Sequence, residues 1–186
     1  GLQAGRVAVN VSPPQFIEPG FCETVRQVLR DTGLDPSRLE LEITESLAMS
    51  DDDRTAQILA ELRRIGVSIA IDDFGVGHSN LGRLASIAVN RLKIDRGLMR
   101  SVDPQGRRAA IVGAIVSMAR TLGLQVLAEG VEDFAQLLDL QELQCNEVQG
   151  YLLSQPLPAD EITVLLQRLE QSTDTSRTMR LRSLAG

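Results

Sequence analysis

The sequence is poor in several residue types that would point to other classes of protein. Its two cysteines, Cys22 and Cys145, lie far apart and make no metal-ligand spacing, so neither a disulfide-dense scaffold nor a cysteine zinc site is expected. No apolar run approaches the roughly 18 residues that a membrane span needs, and the first residues show no signal-peptide pattern. We therefore expect a reduced, cytoplasmic setting and no membrane segment.

Basic residues are also too few for a nucleic-acid-binding surface. The 19 lysines and arginines are outnumbered by 25 aspartates and glutamates, which gives a net charge of −6. Sequence-independent DNA binding needs a basic face, so we expect no DNA partner. Lys93 is the only lysine of the chain. The 186 residues are 43% apolar and 24% charged, as is usual for a soluble globular protein.

Six short apolar segments alternate with segments of helical periodicity, which predicts an α/β fold. The predicted strands are 7–11, 39–43, 67–71, 91–94, 125–128 and 147–153. The predicted helices are near 18–32, 52–65, 79–87, 107–122, 133–143 and 159–171. No glycine-rich phosphate loop follows the first strand, as a Rossmann sheet would require. The pattern favours a TIM-like (β/α)8 barrel, of which this chain holds about six of the eight strand–helix units.

The predicted strands carry polar side chains at or near their ends. They are Asn10, Glu42, Asp72, Asp73, Lys93, Glu129 and Gln149. In a barrel these ends form one mouth, where active sites lie. Carboxylates in such number need cations, and oxygen donors suit Mg²⁺ or Mn²⁺ better than zinc. Two such ions favour displacement at phosphorus, and a lysine among them would hold a metal-bound hydroxide or a phosphate oxygen.

Any one of these acids has a simpler interpretation. An acidic residue at a strand end is more often a helix cap or a solvated loop group, and we expect residues 51–53 to be a helix start of this kind. Lys93 lies inside an apolar run, where exposed lysines are uncommon. The joint pattern is what indicates a site.

Six segments, in this order and at this spacing, resemble the EAL-domain family of cyclic di-GMP phosphodiesterases. They are NVSPPQF at 10–16, ELEITES at 40–46, IDDFGVGHSNL at 71–81, RLKID at 91–95, AEGVED at 128–133 and QGYLLSQPLP at 149–158. The resemblance covers about residues 1–168. It implies a TIM-like barrel that hydrolyses cyclic di-GMP to linear pGpG with two Mg²⁺ or Mn²⁺ ions.

The resemblance also implies a role for each matching residue at the metal centre. Asn10 and Glu42 resemble ligands of the first metal, and Asp72 resembles the bridging ligand. Asp73 and Glu129 resemble ligands of the second metal. Lys93 resembles the lysine that holds the nucleophilic water, so Lys93, Glu129 and Asp72 are the expected catalytic residues.

Other matching residues resemble groups around that centre. Glu45 resembles the glutamate that fastens the loop after the two aspartates. Gln149 and Glu132 resemble residues that contact substrate or water, and Asp95 matches the aspartate of the lysine segment. The loop 74–80 is tied in the family to substrate binding and dimer contacts. The resemblance therefore implies a homodimer through the loop after Asp73.

The sequence departs from the family in one respect. No Glu-Ala-Leu tripeptide occurs in the chain. In the family it lies on a strand before the NVS segment, so we expect the first two strands and one glutamate ligand to be missing. We expect the incomplete domain to cover 1–171, a flexible tail to cover 172–186, and an upstream regulatory domain to precede it in the parent protein.

Two alternatives remain open at this point. Without the missing glutamate, the chain would be a receptor module that binds cyclic di-GMP and does not cleave it. The second alternative is an unrelated barrel with a carboxylate–lysine metal site, such as an enolase-like acid–base enzyme.

Overall fold

The order of the strands in the sheet is their order in the sequence. The computed structural model describes residues 5–50, 52–75, 81–99 and 106–172, and within them six parallel strands pair in succession. They are β1 Val7–Asn10, β2 Leu39–Thr44, β3 Ser68–Phe74, β4 Arg91–Ile94, β5 Gln125–Ala128 and β6 Glu147–Val148. A doubly wound sheet would reverse its order at a switch point, and this sheet does not. It is a curled half-barrel, which confirms the predicted TIM-like α/β class.

Helices connect the strands. They are α1 Pro13–Phe16, α2 Phe21–Thr32, a 3₁₀ turn Pro36–Arg38, α3 Glu45–Ala48, α4 Asp53–Ile65, α5 Leu81–Leu84, α6 Arg96–Met99, α7 Arg107–Thr121, α8 Phe134–Glu142 and α9 Ala159–Ser172. The sequence did not predict α1, α3 and α6, because four residues are too few to show a helical period. In the described part of the chain, no helix combines the length and apolar character that a bilayer crossing needs.

Apolar side chains cover the outer face of the sheet. Ile43, Ile69, Ile71, Leu92 and Ile94 are almost fully buried and belong to one core together with Leu59 and Leu62 of α4. Side chains alternate between the two faces of a strand. The charged residues between these apolar ones therefore point to the inner face of the curled sheet.

The start of α4 confirms the interpretation of the aspartates before it. The Asp52 carboxylate accepts a hydrogen bond from the Arg54 backbone N–H at 3.0 Å, so Asp52 is the N-cap. The helix ends at Gly66, whose φ of 100° is left-handed and suits glycine. Asp51 lies outside the described residues.

The sixth strand is much shorter than predicted. Strand β6 ends at Val148, and the run predicted as strand to 153 turns away instead. The reason is a close approach at Gly150, where an added Cβ would overlap the Val131 carbonyl oxygen. The Leu152 N–H then donates to that same oxygen at 3.1 Å. The apolar residues after Gly150 therefore fold into a turn rather than a strand.

Two other predictions meet the limits of the described residues. The helix predicted near 79–87 is seen as Leu81–Leu84 only, and residues 76–80 of the loop tied to substrate and dimer contacts lie outside the description. Ser172, the first residue of the predicted tail, is the last residue of α9. The rest of that tail, 173–186, also lies outside the described residues.

Candidate active site

Lys93 forms the centre of a buried charged group at the carboxyl ends of the strands. Its Nζ lies 2.6 Å from Glu42 Oε2, 2.9 Å from Asp72 Oδ1 and 2.8 Å from Glu129 Oε1. These three carboxylates come from β2, from β3 and from the residue that follows β5. The fold thus brings together four of the residues that the sequence singled out, from positions up to 87 apart in the chain (129 − 42).

The strand pattern explains why these side chains meet. Glu42 lies between the outward-facing Leu41 and Ile43, and Lys93 lies between Leu92 and Ile94, all buried in the core. Parallel pairing sets Thr44 beside Asp72 and Lys93 beside Leu127. Because all strands run in the same direction, the inward-facing residues near their carboxyl ends converge on one region.

The electrostatics of this group are unbalanced, because several carboxylates share one ammonium. Burial, only partly offset by Lys93, raises the pKa of Glu42 and of Glu129. Burial opposes the charge on Lys93, but hydrogen bonds to Glu129 and Glu42 outweigh it, so the pKa of Lys93 is raised. Lys93 therefore stays protonated, and among the described residues it is the cation within ion-pair distance of Glu42, Asp72 and Glu129.

A distortion of β3 sets the position of Asp73. The register between β3 and β4 shifts between Ile71 and Phe74, and Asp73 has a φ of 54°, which is rare for a residue other than glycine. Its backbone N–H donates to Asp72 Oδ1 at 3.1 Å. Asp73 is exposed, and partial desolvation together with the charges of Asp72 and Asp95 raises its pKa. Bulges next to active sites re-aim side chains, and this one adds a second carboxylate beside Asp72.

Glu45 lies under the turn that follows the two aspartates. It is buried at the start of α3, and its Oε2 accepts a hydrogen bond from the Gly75 backbone N–H at 3.0 Å. Gly75 has a φ of 100°, and an added Cβ would lie 2.7 Å from Leu98 Cδ1. The carboxylate therefore holds a turn that has no room for a side chain.

The remaining predicted residues lie at or after the ends of β1, β4, β5 and β6. Asn10 is exposed and aligned with Glu42 in the register of β1 and β2. Asp95 accepts a hydrogen bond from the Gly97 N–H at 2.7 Å, at the start of α6. Gln149 is half-buried and donates its backbone N–H to the Ala128 carbonyl at 2.8 Å. Glu132 is exposed and donates its backbone N–H to the Gln136 side chain at 2.7 Å.

Sequence reasoning missed a second charged group on the same inner face. Arg91 lies two residues before Lys93, and Glu40 two residues before Glu42. Arg91 and Glu40 are each 1% exposed, with Arg91 Nη1 3.3 Å from Glu40 Oε1. The signal was a charged residue at alternate positions inside two apolar strands, since such charges share a face.

We call Glu42, Asp72, Asp73, Lys93 and Glu129 the upper layer, and Arg6, Glu40, Arg91 and Glu147 the lower layer.

The donor chemistry of the upper layer fits a hard divalent cation. It offers carboxylate oxygens, the ligands that Mg²⁺ and Mn²⁺ prefer, and it contains four carboxylates and one ammonium. Three of them point at Lys93 as they stand. Among the described residues, no three His, Cys, Asp or Glu side chains are gathered at metal-ligand geometry. Metal binding would therefore require these carboxylates to turn from Lys93.

Comparison with known proteins gives a consistent picture. The EAL domain pattern matches residues 2–156. The chain is 47% identical over 156 residues to the bifunctional diguanylate cyclase/cyclic di-GMP phosphodiesterase MucR of Pseudomonas aeruginosa. This match covers 84% of the chain and 23% of MucR, so the chain spans about a quarter of that relative's length.

Two solved structures extend the comparison. The PaMucR phosphodiesterase in complex with c-di-GMP superposes with a TM-score of 0.81 at 46% identity, over 84% of this chain and 64% of that one. Klebsiella pneumoniae BlrP1, in a manganese/cy-diGMP complex, superposes with a TM-score of 0.73 at 32% identity, over 79% of this chain and 38% of that one. Both the fold and the sequence are therefore shared with proteins solved with this dinucleotide.

Proposed function

This chain belongs to the EAL domain family, and from that premise we propose that the intact protein is a phosphodiesterase that hydrolyses cyclic di-GMP to linear pGpG. The observation that supports it best is the upper layer. Lys93 lies within 3 Å of carboxylates from β2, from β3 and from the residue after β5 at the mouth of the half-barrel. The substrate is proposed from the relatives named above, and the carboxylates and lysine of the upper layer suit the hydrolysis of a phosphodiester.

The proposed metal ligands follow the residue types and their positions. Asn10, Glu42 and Asp72 would hold one Mg²⁺ or Mn²⁺ ion, and Asp72, Asp73 and Glu129 a second. When bound, the two ions supply positive charge to the attacking and leaving oxygens of the phosphate. The manganese complex of BlrP1 supports a divalent ion of this kind.

Lys93 is proposed to act on the reacting oxygens directly. It has three N–H donors and no acceptor, so in the protonated form it can hold a water lone pair or a phosphate oxygen. Glu45 would keep the turn at Gly75 in place next to Asp73. Gln149 and Glu132 would contact substrate or water, and Asp95 would support the turn that follows Lys93.

The wider setting of the protein is part of the same proposal. The domain would cover 1–171, with 172–186 as a tail. The match covers only 23% of MucR, which supports further domains in the intact protein, and we propose that a regulatory domain lies upstream. We propose a cytoplasmic protein that forms a homodimer through the loop after Asp73. Membership of the family removes the reason to propose an unrelated acid–base barrel.

The direct test is metal-dependent conversion of cyclic di-GMP to pGpG by the intact protein, followed by chromatography. Asp72→Asn and Lys93→Ala are each expected to lower kcat/KM by at least ~10²-fold, because a charged group is lost at the reacting phosphate. Asp139→Asn, an exposed acid on α8, is the matched control and should keep wild-type activity. Full activity in either site variant would refute the roles assigned here.

The receptor alternative predicts a different result in the same experiment. Calorimetry would then show cyclic di-GMP binding while no pGpG appears at any Mg²⁺ or Mn²⁺ concentration. The absence of the Glu-Ala-Leu tripeptide from residues 1–186 is the observation that keeps this alternative in the test.

A further inference from the structure

Arg91 holds carboxylates from two distant strands at once. Its Nη1 and Nη2 form a bidentate pair with Glu147 of β6, at 2.9 and 3.0 Å. Nη1 also lies 3.3 Å from Glu40 of β2. Nη2 donates a second hydrogen bond to the Gln125 side chain of β5 at 2.9 Å. A single guanidinium on β4 thus contacts the strands on both sides of it.

This contact is possible only in a curled sheet. Neighbouring strands lie about 4.8 Å apart, so β2 and β6 would be about 19 Å apart in a flat sheet. No guanidinium spans that distance. The strand between β2 and β4 also leaves room, because its inward-facing residues at this level are the small Ser68 and Ala70. The Arg91 pairs therefore fix how tightly the inner face curves.

The curvature at this level sets distances one level higher. Glu42 follows Glu40 by two residues on β2, and Lys93 follows Arg91 by two residues on β4. Two residues of strand rise about 6.6 Å, which places the lower layer directly under the upper one. Glu129 continues the chain of β5, whose first residue Gln125 is bonded to Arg91.

We infer that Arg91 is a positioning residue, which sets the spacing of Glu42, Lys93 and Glu129 by tying β2, β5 and β6 together beneath them. The inference rests on the proposed function, since the group it positions is the proposed metal and lysine site. Arg91 itself has no part in the chemistry. Its charge is already matched, because the lower layer holds two arginines and two glutamates, with Arg6 Nη1 2.9 Å from Glu40 Oε2.

The test compares Arg91→Met and Arg91→Lys with Arg64→Met in the intact protein. Arg64 is exposed on α4, and its Nε bonds only to the Ala60 carbonyl of the same helix among the contacts described. Mn²⁺ binding is measured by calorimetry and by electron paramagnetic resonance. Mg²⁺-dependent turnover is measured as well. Binding and turnover are measured at a temperature well below the midpoint of thermal unfolding, which is determined for each variant in parallel.

We expect Arg91→Met to weaken Mn²⁺ binding by about tenfold or more, which corresponds to about 1.4 kcal/mol, and to raise the Mg²⁺ concentration needed for half-maximal activity. Arg91→Lys should not restore either value, because one ammonium lacks the planar fork that pairs bidentately with Glu147. Arg64→Met should match the wild type. If Arg91→Met does not fold, Gln125→Leu removes one of the bonds and should shift Mn²⁺ binding in the same direction by less.

Two results would overturn the inference. The first is a lower unfolding midpoint in Arg91→Met with unchanged Mn²⁺ affinity, since Arg91 would then be structural only. The second is full rescue by Arg91→Lys. Failure of the proposed function can be told apart from these results. If the wild-type protein shows no phosphodiesterase activity, the proposed function is wrong, but the Mn²⁺ affinities of wild type and Arg91→Met still test whether Arg91 positions the upper layer.

Discussion

The two charged layers of the inner face are built from the same strands and differ in charge balance. The lower layer pairs two arginines with two glutamates, and Arg91 and Glu40 are each 1% exposed. The upper layer holds four carboxylates and one ammonium, with three of the carboxylates within 3 Å of Lys93, and burial raises the pKa of Glu42 and of Glu129. A balanced buried cluster needs no further partner, whereas an unbalanced one needs a cation. The difference separates scaffold from site without reference to any relative.

Removing one charge from the lower layer should have the largest effect on stability. Glu40→Leu leaves Arg91 and Arg6 short of a buried carboxylate, and breaking a buried pair in this way costs about 3–5 kcal/mol. Urea unfolding followed by circular dichroism measures this loss. A loss under about 1 kcal/mol, the size seen for surface pairs, would mean that the lower layer is not the rigid part.

The double variant Glu40→Leu with Arg91→Met sharpens that comparison. Replacing both partners of a buried ion pair by apolar groups is often neutral or stabilising. The double variant removes one charge of each sign but also takes Arg91 from Glu147, so it should recover part of the stability that Glu40→Leu loses. No recovery would show that the loss in the single variant came from packing rather than from uncompensated charge.

A divalent ion should stabilise the protein through the upper layer. At ten times its dissociation constant, Mg²⁺ should add about 1.4 kcal/mol to the free energy of unfolding, since it binds the folded state only. At the same Mg²⁺ concentration, Lys93→Met should show a larger gain than the wild type, because the Lys93 ammonium occupies the three carboxylates that the ion would use. Thermal unfolding with and without Mg²⁺ measures both.

Two variants locate that gain. Asp72→Asn should lose most of the stabilisation by Mg²⁺, while Asp139→Asn on α8 should keep it. An equal gain in Asp72→Asn would place the ion outside the upper layer, and an equal gain in Lys93→Met would mean that Lys93 does not compete with it.

The smallest expected effect concerns the edge of the upper layer. Glu45→Gln keeps the shape of the side chain but replaces a charge-assisted hydrogen bond to the Gly75 N–H by a neutral one, which should cost about 1 kcal/mol. Hydrogen exchange at the Gly75 amide should accelerate, whereas Glu142→Gln on α8 should leave that amide unchanged. Unchanged exchange in Glu45→Gln would mean that the turn is held by other contacts.

Much of the fold could be predicted because local patterns agree with it. The apolar residues of β2 to β5 alternate with polar ones or form short buried runs, and their polar ends are visible in the sequence. The last strand was mispredicted, because the apolar run 147–153 looks the same whether it forms a strand or a turn. What decides it is the contact of Gly150 with the Val131 backbone, which lies 19 residues away (150 − 131).

The candidate site was predictable to a similar degree. The residue types at the strand ends indicated that carboxylates and a lysine meet there, as Lys93 and its three carboxylates do, while the cation stays a prediction. The geometry within the site was not predictable, as Asp73 shows, because its φ of 54° comes from a bulge that no residue of β3 signals. The lower layer escaped notice because Arg91 and Glu40 lie at or near the starts of their strands, away from the carboxyl ends, and become partners only across an intervening strand.

By itself, the sequence determined which residues alternate, where the first five strands lie, and which charged groups stand at their ends, because these follow from local propensity and a period of two. Only the tertiary structure decided which charges are balanced and which are in excess. Charge balance is a property of distances between strands, and curling the sheet brings Arg91 to Glu40 and Glu147 while Lys93 is left with three carboxylates.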